Sequence, residues 1–282
     1  MMKFLDFETI ASQYDAFFFD AYGVLKDSSG LVAGIEKTFE WLEANDKEYL
    51  IITNDASRSP DLLAEAYHSK GLHAINADRI VSSGMLAKEF LDMKVNDGMV
   101  AYLGTVNSAH YIDATGLHTI PVAEINDENV ERITALVLLD DEGFNWFNDI
   151  NKVVNLLRRR PIPAIVANPD RSYPVNRNEV SVAIGSLAAM IEHTIGKKFI
   201  RFGKPDSQIF MFAYEKLMAI RRIHRKKILM VGDTLTTDVL GGNKFGLDTA
   251  LVLTGNTLPA EAEGKIISSG IVPTFICETA VI

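Results

Sequence analysis

The chain has 282 residues, 48% of them hydrophobic and 23% charged, with a formal net charge of -9. This is the composition of an ordinary globular protein, long enough for one large domain or two medium ones. The acidic balance argues against nucleic acid as the main partner, because a phosphate backbone calls for a basic face. No apolar run reaches membrane-spanning length, so no membrane association is expected.

The chain opens with a short amphipathic helix over Phe4 to Tyr14. The segment from Met1 to Glu8 already carries Lys3, Asp6 and Glu8 and does not read as a signal peptide. With a single cysteine, Cys277, no disulfide framework is possible, and a reducing, cytoplasmic setting is expected. The apolar run Ala16-Phe17-Phe18-Phe19 then stops at Asp20, with Gly23 three residues on, which predicts a buried strand followed by a tight turn. A helix follows over 34–45, where Ile35, Phe39 and Leu42 recur at helical spacing. Tyr49 to Thr53 predicts a second buried strand, ending in Thr53-Asn54-Asp55. A helix with proline in its first turn runs over 60–70, and a short strand spans Arg79 to Val81.

From about Ser83 the alternation restarts. Helices near Met85 to Leu91, Ser108 to Thr115 and Asn148 to Arg158 alternate with strands at 99–104, 135–139 and 164–167. This stretch predicts a second, smaller α/β domain over 84–179, inserted between two halves of a first domain, 1–83 and 180–282. The polar stretch from Asn168 to Glu179 is expected to be the return loop. The first domain then resumes with a helix over 184–196, a strand at Phe199 to Phe202 and Gly203-Lys204-Pro205. A helix at 207–219 and a strand at 227–231 follow, the strand ending in Gly232-Asp233. Next come a helix from Asp238 to Phe245, a strand at 249–253, a last helix and a strand near 274–276. Strands alternating with helices predict parallel βαβ units and a doubly wound α/β sheet.

Four predicted strands of the first domain thus end in polar signatures: Asp20 with Gly23, Thr53-Asn54-Asp55, Gly203-Lys204-Pro205, and Gly232-Asp233 with Asp238. In a parallel sheet such endings share one edge, where open α/β folds bind ligands. Asp20 and Asp233 offer oxygen ligands to a hard cation such as Mg2+. Lys204 is a point charge suited to phosphate. Thr53 and the N–H groups beside it can hold phosphate oxygens. Asp20 can attack phosphorus. Taken singly, each has a plainer role: Asp20, Asp233 and Asp238 as caps, Thr53 as a strand-end hydrogen bonder, Lys204 as a solvated loop residue. The six histidines show no metal-ligand spacing. The basic run from Arg221 to Lys227 reads as a solvated face, and Gly241 to Gly246 does not fit a dinucleotide fingerprint.

The ordered set resembles the haloacid-dehalogenase superfamily of hydrolases over essentially the whole chain. Only 33 residues separate Asp20 from Thr53, while 151 separate Thr53 from Lys204, which leaves room for the large inserted cap of class II. Thr53-Asn54-Asp55, Ala167-Asn168-Pro169-Asp170 and Leu251-Val252-Leu253-Thr254-Gly255 are similar to stretches of class IIA, which includes NagD-type and 4-nitrophenylphosphatase-like enzymes. The resemblance implies a Rossmann-like core with an α/β cap. It implies Asp20 as nucleophile, and Mg2+ held by Asp20, Asp233 and the backbone carbonyl of Tyr22. The phosphoryl group would be bound by Thr53, Asn54 and Lys204, with Asp238 orienting Lys204 or a metal-bound water and Gly23 allowing close backbone approach. The implied partner is a small phosphate ester, with sugar phosphates and nucleotides among the candidates. Whether the cap also mediates a homodimer stays open.

One departure matters. Phosphatases of the family carry an acid–base Asp two residues past the nucleophile, and here that residue is Tyr22. A phenol with pKa about 10 is a poor base near neutrality, so weak turnover of alkyl phosphates is expected. Asp20-Ala21-Tyr22-Gly23 also resembles the first motif of 2-haloacid dehalogenases, whose cap lies where this chain has no room. A non-catalytic phosphate-ester-binding protein is the third reading.

Overall fold

The structure is a computed structural model that describes residues 4–176 and 179–282. Lys3, and Arg177 and Asn178 of the expected return loop, lie outside the described residues. In chain order the strands are β1 (Ala16–Phe19), β2 (Lys26–Asp27), β3 (Gly30–Leu31), β4 (Glu48–Thr53), β5 (Ile80–Ser82), β6 (Met99–Leu103), β7 (His118–Pro121), β8 (Ile133–Leu138), β9 (Ala164–Val166), β10 (Ser172–Asn176), β11 (Glu179–Val182), β12 (Ile200–Arg201), β13 (Ile228–Gly232), β14 (Asp248–Val252) and β15 (Phe275–Cys277). The α-helices are α1 (Phe7–Ala11), α2 (Ile35–Ala44), α3 (Pro60–His68), α4 (Ser83–Lys94), α5 (His110–Asp113), α6 (Trp146–Arg159), α7 (Ile184–Ile195), α8 (Ser207–Ile220), α9 (Leu240–Phe245) and α10 (Pro259–Ser269).

Two parallel sheets organise the molecule. The first has six strands in the order β15-β14-β13-β1-β4-β5, and the second has five in the order β12-β9-β8-β6-β7. The strands of the first sheet are apolar on both faces, as parallel sheets require. In β1, Ala16 and Phe18 enter one buried cluster while Phe17 and Phe19 enter another. Leu50 and Ile52 of β4 follow Phe18, and Tyr49 and Ile51 follow Phe17, with the same alternation in β13. The second sheet repeats the pattern: Val100, Tyr102 and Val137 join the cluster of Phe18, whereas Leu103, Leu136 and Leu138 pack on α6 and α7. One apolar cluster therefore runs from the first sheet through α8 (Phe210, Leu217) and α4 (Leu86, Leu91) to the second sheet.

Three expectations are corrected. The strand expected at Phe199 to Phe202 does form, over Ile200–Arg201, but it pairs in parallel with β9 and belongs to the second sheet. Helix α7 before it packs on that sheet too, so residues 180–202 go with the insertion rather than with the first domain. Apolar spacing identifies a strand and not the sheet it joins. What ties this one down is Glu192 of α7, whose buried carboxylate takes the Phe199 N–H at 2.6 Å and pairs with Arg201 at 2.8 Å. The expected return loop is in part an antiparallel hairpin of β10 and β11, where Tyr173, Val180 and Val182 outweigh the polar composition. Pro174 is tolerated there because a two-stranded hairpin has two free edges. The helix expected from Asp238 starts earlier, as a π-helical turn over Leu235–Val239 that runs into α9.

Phe18 is fully buried at the centre of the shared cluster. Phe18→Ala is expected to cost about 3–5 kcal/mol in urea unfolding followed by circular dichroism. A loss below about 1 kcal/mol would contradict a common core for the two sheets.

Candidate active site

Strands β1, β4 and β13 are neighbours, so their C-terminal ends open onto one place. Asp20 stays in register past the end of β1, its N–H donating to Val231 O at 2.8 Å. The chain then turns sharply, with Gly23 N–H on Lys26 O at 2.7 Å. Gly23 has φ +82°, and a Cβ there would overlap the Asp233 carboxylate. A Cβ on Gly255, in the loop after β14, would overlap the same carboxylate. The two glycines thus form a slot for Asp233, closed by the Thr254 hydroxyl donating to Gly23 O. Inside it, Asp233 Oδ1 accepts from the Thr234 hydroxyl at 2.7 Å and Oδ2 from the Asn256 N–H at 2.5 Å.

Asp238 enters from the π-helical turn and packs over Gly232, where a Cβ would collide with it. Its Oδ2 accepts from the Thr234 N–H at 3.0 Å. The Lys204 ammonium bridges Asp20 Oδ1 at 2.5 Å and Asp238 Oδ1 at 2.7 Å. Oxygens of Asp20, Asp233 and Asp238 lie within 4.8 Å of one another.

Lys204 reaches this place from the second sheet, just after β12, and Asn54 pins its backbone. Asn54 Oδ1 accepts the Lys204 N–H at 2.7 Å, and Asn54 Nδ2 donates to Lys204 O at 3.1 Å and to Asp170 Oδ1 at 2.8 Å. The Asn54 side chain, expected to touch a phosphoryl group, is thus engaged on both ends in holding the lysine loop. Thr53 lies at the end of β4 as expected, its hydroxyl accepting the Asp55 N–H at 3.1 Å. Tyr22 is brought near by its position but is bonded elsewhere: its hydroxyl donates to Pro174 O of β10 at 2.6 Å.

The charges do not balance. Three carboxylates, two of them fully buried, share one ammonium. Burial opposes the charge of Lys204, but Asp20 and Asp238 outweigh it and hold the amine protonated, its pKa above the usual lysine value. Burial and then the Asp20 charge push Asp233 up to about 7. Burial also raises Asp238 well above the carboxylate range, even against the pull of Lys204. An all-oxygen, over-negative cluster is the donor set that a hard divalent cation fits, and the cation would remove the repulsion that raises those values. Asp20, Asp233 and Asp238 could hold it.

Reading the sequence did not give a role to Asp170, Thr234 or Asn256. Asp170 is pushed up to about 6, by burial first and then by the charge of Asp20, against Asn54 and Lys204. Its signal was the Asn168-Pro169-Asp170 stretch itself. For Asn256 the signal was a polar Thr254-Gly255-Asn256 ending on another buried strand. From the second sheet, the loop after β8 brings Asp140 and Asp141 close enough to Asp55 for their charges to add to the burial that raises Asp140 to about 6.

Comparisons with known proteins agree with this geometry. A family model described as haloacid dehalogenase-like hydrolase matches residues 17–118, and a second, HAD-hydrolase-like, matches 201–279. The chain superposes on a possible sugar phosphatase of the HAD superfamily from Cytophaga hutchinsonii with TM-score 0.96 and 60% identity, covering 100% of this chain and 99% of that one. A glycerol phosphate phosphatase from Mycobacterium tuberculosis, solved in complex with magnesium, gives TM-score 0.76 and 25% identity over 95% of this chain and 76% of that one. Human chronophin is 27% identical over 93% of this chain and 89% of its own length.

The raised carboxylates imply a pH-dependent response to metal. Asp233 binds its proton more tightly when folded than when unfolded. Without metal its contribution is therefore fully present below the unfolded carboxylate pKa of about 4, and is lost as pH rises to about 7. Mg2+ is expected to raise the melting temperature more at pH 8 than at pH 5. Thermal melts with and without Mg2+ check this, and equal gains at both pH values would contradict it.

Proposed function

Because the chain belongs to the haloacid dehalogenase-like hydrolase family, we propose that it is a Mg2+-dependent phosphatase of small phosphorylated metabolites, working through an aspartyl-phosphate on Asp20. One observation carries the reading: a buried lysine bridging the nucleophile candidate and a second carboxylate, inside a cluster of three acids. The acid trio also favours phosphoryl chemistry over dehalogenation, which has no use for a cation.

Lys204 Nζ occupies Asp20 Oδ1, and the other carboxylate oxygen carries no hydrogen bond among the described residues. That oxygen attacks phosphorus, the P–O bond to the leaving group breaks, and the leaving oxygen takes its electron pair and a proton from water. Water then attacks phosphorus as the P–O bond to Asp20 breaks, its proton passes to solvent, and phosphate and the Asp20 carboxylate are released. Lys204, the Thr53 hydroxyl and the N–H groups beside it hold the non-bridging oxygens. Asn54 and Asp238 keep Lys204 in place for that task. Asp20, Asp233 and the backbone carbonyl of Tyr22, with Asp238 beside them, would hold the Mg2+, which would neutralise phosphoryl charge. The magnesium complex of the glycerol phosphate phosphatase relative supports that choice of cation.

The second sheet and its helices form the cap that faces the leaving group. Its acidic loop, with Asp140 and Asp141 near Asp55, disfavours leaving groups with a further negative charge. That supports neutral, hydroxyl-rich leaving groups such as sugars, in keeping with the possible sugar phosphatase relative.

Hydrolysis of p-nitrophenyl phosphate is expected with Mg2+, and is expected to vanish with EDTA and in Asp20→Asn. Activity that survives in Asp20→Asn would defeat the covalent mechanism. The phenol of Tyr22 supplies no base near neutrality, and general acid–base catalysis contributes about 10²–10⁴-fold. Aryl and acyl phosphates are therefore expected to turn over faster than primary alkyl phosphates, with Tyr22→Asp narrowing the gap. Fast alkyl-phosphate turnover by the wild-type protein, equal to that of the variant, would refute this.

A further inference from the structure

Tyr22 stands two residues beyond Asp20, on the loop that carries the nucleophile candidate, and its hydroxyl, besides a local bond to Ser28, reaches another part of the chain. The hydroxyl donates to the Pro174 carbonyl at 2.6 Å, across 152 positions of sequence. Pro174 lies in β10, and the register between β10 and β11 shifts between Pro174 and Asn176. The irregularity falls beside the carbonyl that Tyr22 takes, where ladder pairing is disrupted.

The same hairpin is tied down elsewhere. The hydroxyl of Tyr173, the residue before Pro174, donates to Asp141 Oδ2 at 3.0 Å, in the loop after β8. The base of the hairpin is closed by the Ala183 N–H on Arg171 O at 3.0 Å, and the Gly185 N–H meets Asp170 O at 3.0 Å. Asp170 in turn meets Asn54. The hairpin is therefore suspended between the second sheet and the nucleophile loop, and among the described residues Tyr22 supplies the hydroxyl bond on the nucleophile side.

We propose that Tyr22 is a positioning residue: through Pro174 it holds the β10–β11 hairpin against the nucleophile loop, and so sets how Tyr173 and Asp141 meet the leaving group. The chemistry of the side chain fits the task. A carbonyl oxygen needs a donor, and a phenol with pKa about 10 is a neutral donor near neutrality. An ionised carboxylate at the same place would be an acceptor facing an acceptor.

The inference leans on the phosphatase reading for its kinetic arm only. Tyr22→Phe removes the hydroxyl and keeps the ring. With Mg2+ present, deuterium exchange of the backbone amides in 172–176 and 179–182 is expected to quicken about 3–10-fold, the worth of one hydrogen bond, with no matching change elsewhere. Across aryl phosphates of graded leaving-group acidity, kcat/KM is expected to fall by one common factor of the same size, with KM carrying the change. A steeper dependence on leaving-group acidity in the variant would make Tyr22 a proton donor and overturn the proposal. Unchanged exchange in the hairpin would overturn it as well. Should the wild-type protein hydrolyse no aryl phosphate, the phosphatase reading fails, while the exchange measurement still decides the role of Tyr22.

Discussion

The structure depends on one ammonium group among three carboxylates. Lys204 is 2% exposed, and Asp233 and Asp238 are not exposed at all. Charges so far from water persist only when paired and hydrogen-bonded. Lys204 satisfies two acids directly, and its neighbours do the rest: the Thr234 hydroxyl and the Asn256 N–H donate to Asp233, and the Thr234 N–H to Asp238. Hydrogen bonds of this kind relieve the acids only in part, so the cluster keeps an excess of acids over bases, and burial raises the proton affinity of Asp233 and Asp238. That excess is the physical reason for a cation, and it exists before any cation binds.

The geometry that holds the cluster belongs to no single element. Parallel strands β1, β4 and β13 deliver Asp20, Thr53 and Asp233 to one edge, as switch points of open α/β sheets do. Lys204 comes from the far end of the insertion, after β12 of the other sheet. Its position is therefore a relation between the two sheets. Asn54 makes that relation local by gripping both the N–H and the carbonyl of Lys204 from the end of β4. The apolar cluster shared through α4 and α8 makes it rigid. A side chain expected to be a phosphate ligand is thus spent on fixing the backbone of Lys204, the residue proposed to meet the phosphoryl group.

How much of this could be read from the sequence follows from the kind of information each feature carries. The strands were legible because Phe17 to Phe19, or Leu50 to Ile52, are buried on both faces and therefore uniformly apolar. The acids and Lys204 were legible because each follows such a strand and the sheet is parallel. Sheet membership was not: Ile200–Arg201 is too short to show which partner it takes, and its anchor, Glu192, looks like any helix acid until its burial is known. Nor was the hairpin legible, since two prolines and a polar composition suit a loop equally well. The destinations of the Asn54 amide and the Tyr22 hydroxyl could not be read either. Both bonds span about 150 positions, and nothing local encodes them.

Tyr22 shows what such long-range bonds do to a motif. At this position the phosphatases of the family carry a carboxylate, which can move a proton at neutral pH but cannot donate to a carbonyl while ionised. A phenol has the opposite abilities: it stays protonated, donates well and serves poorly as a base. The choice of residue therefore decides whether the position works on the leaving group or on the surroundings of the leaving group. With tyrosine the chemical step loses a proton shuttle, and the hairpin gains an anchor on the nucleophile loop. A hydrogen bond contributes only about 0.5–1.5 kcal/mol net, too little to hold two domains together alone. It is enough to bias how a hairpin already tied at Asp141 and Ala183 sits over the site. Specificity and turnover are then linked through one atom, because whatever loosens the Tyr22 hydroxyl loosens the wall that the substrate meets.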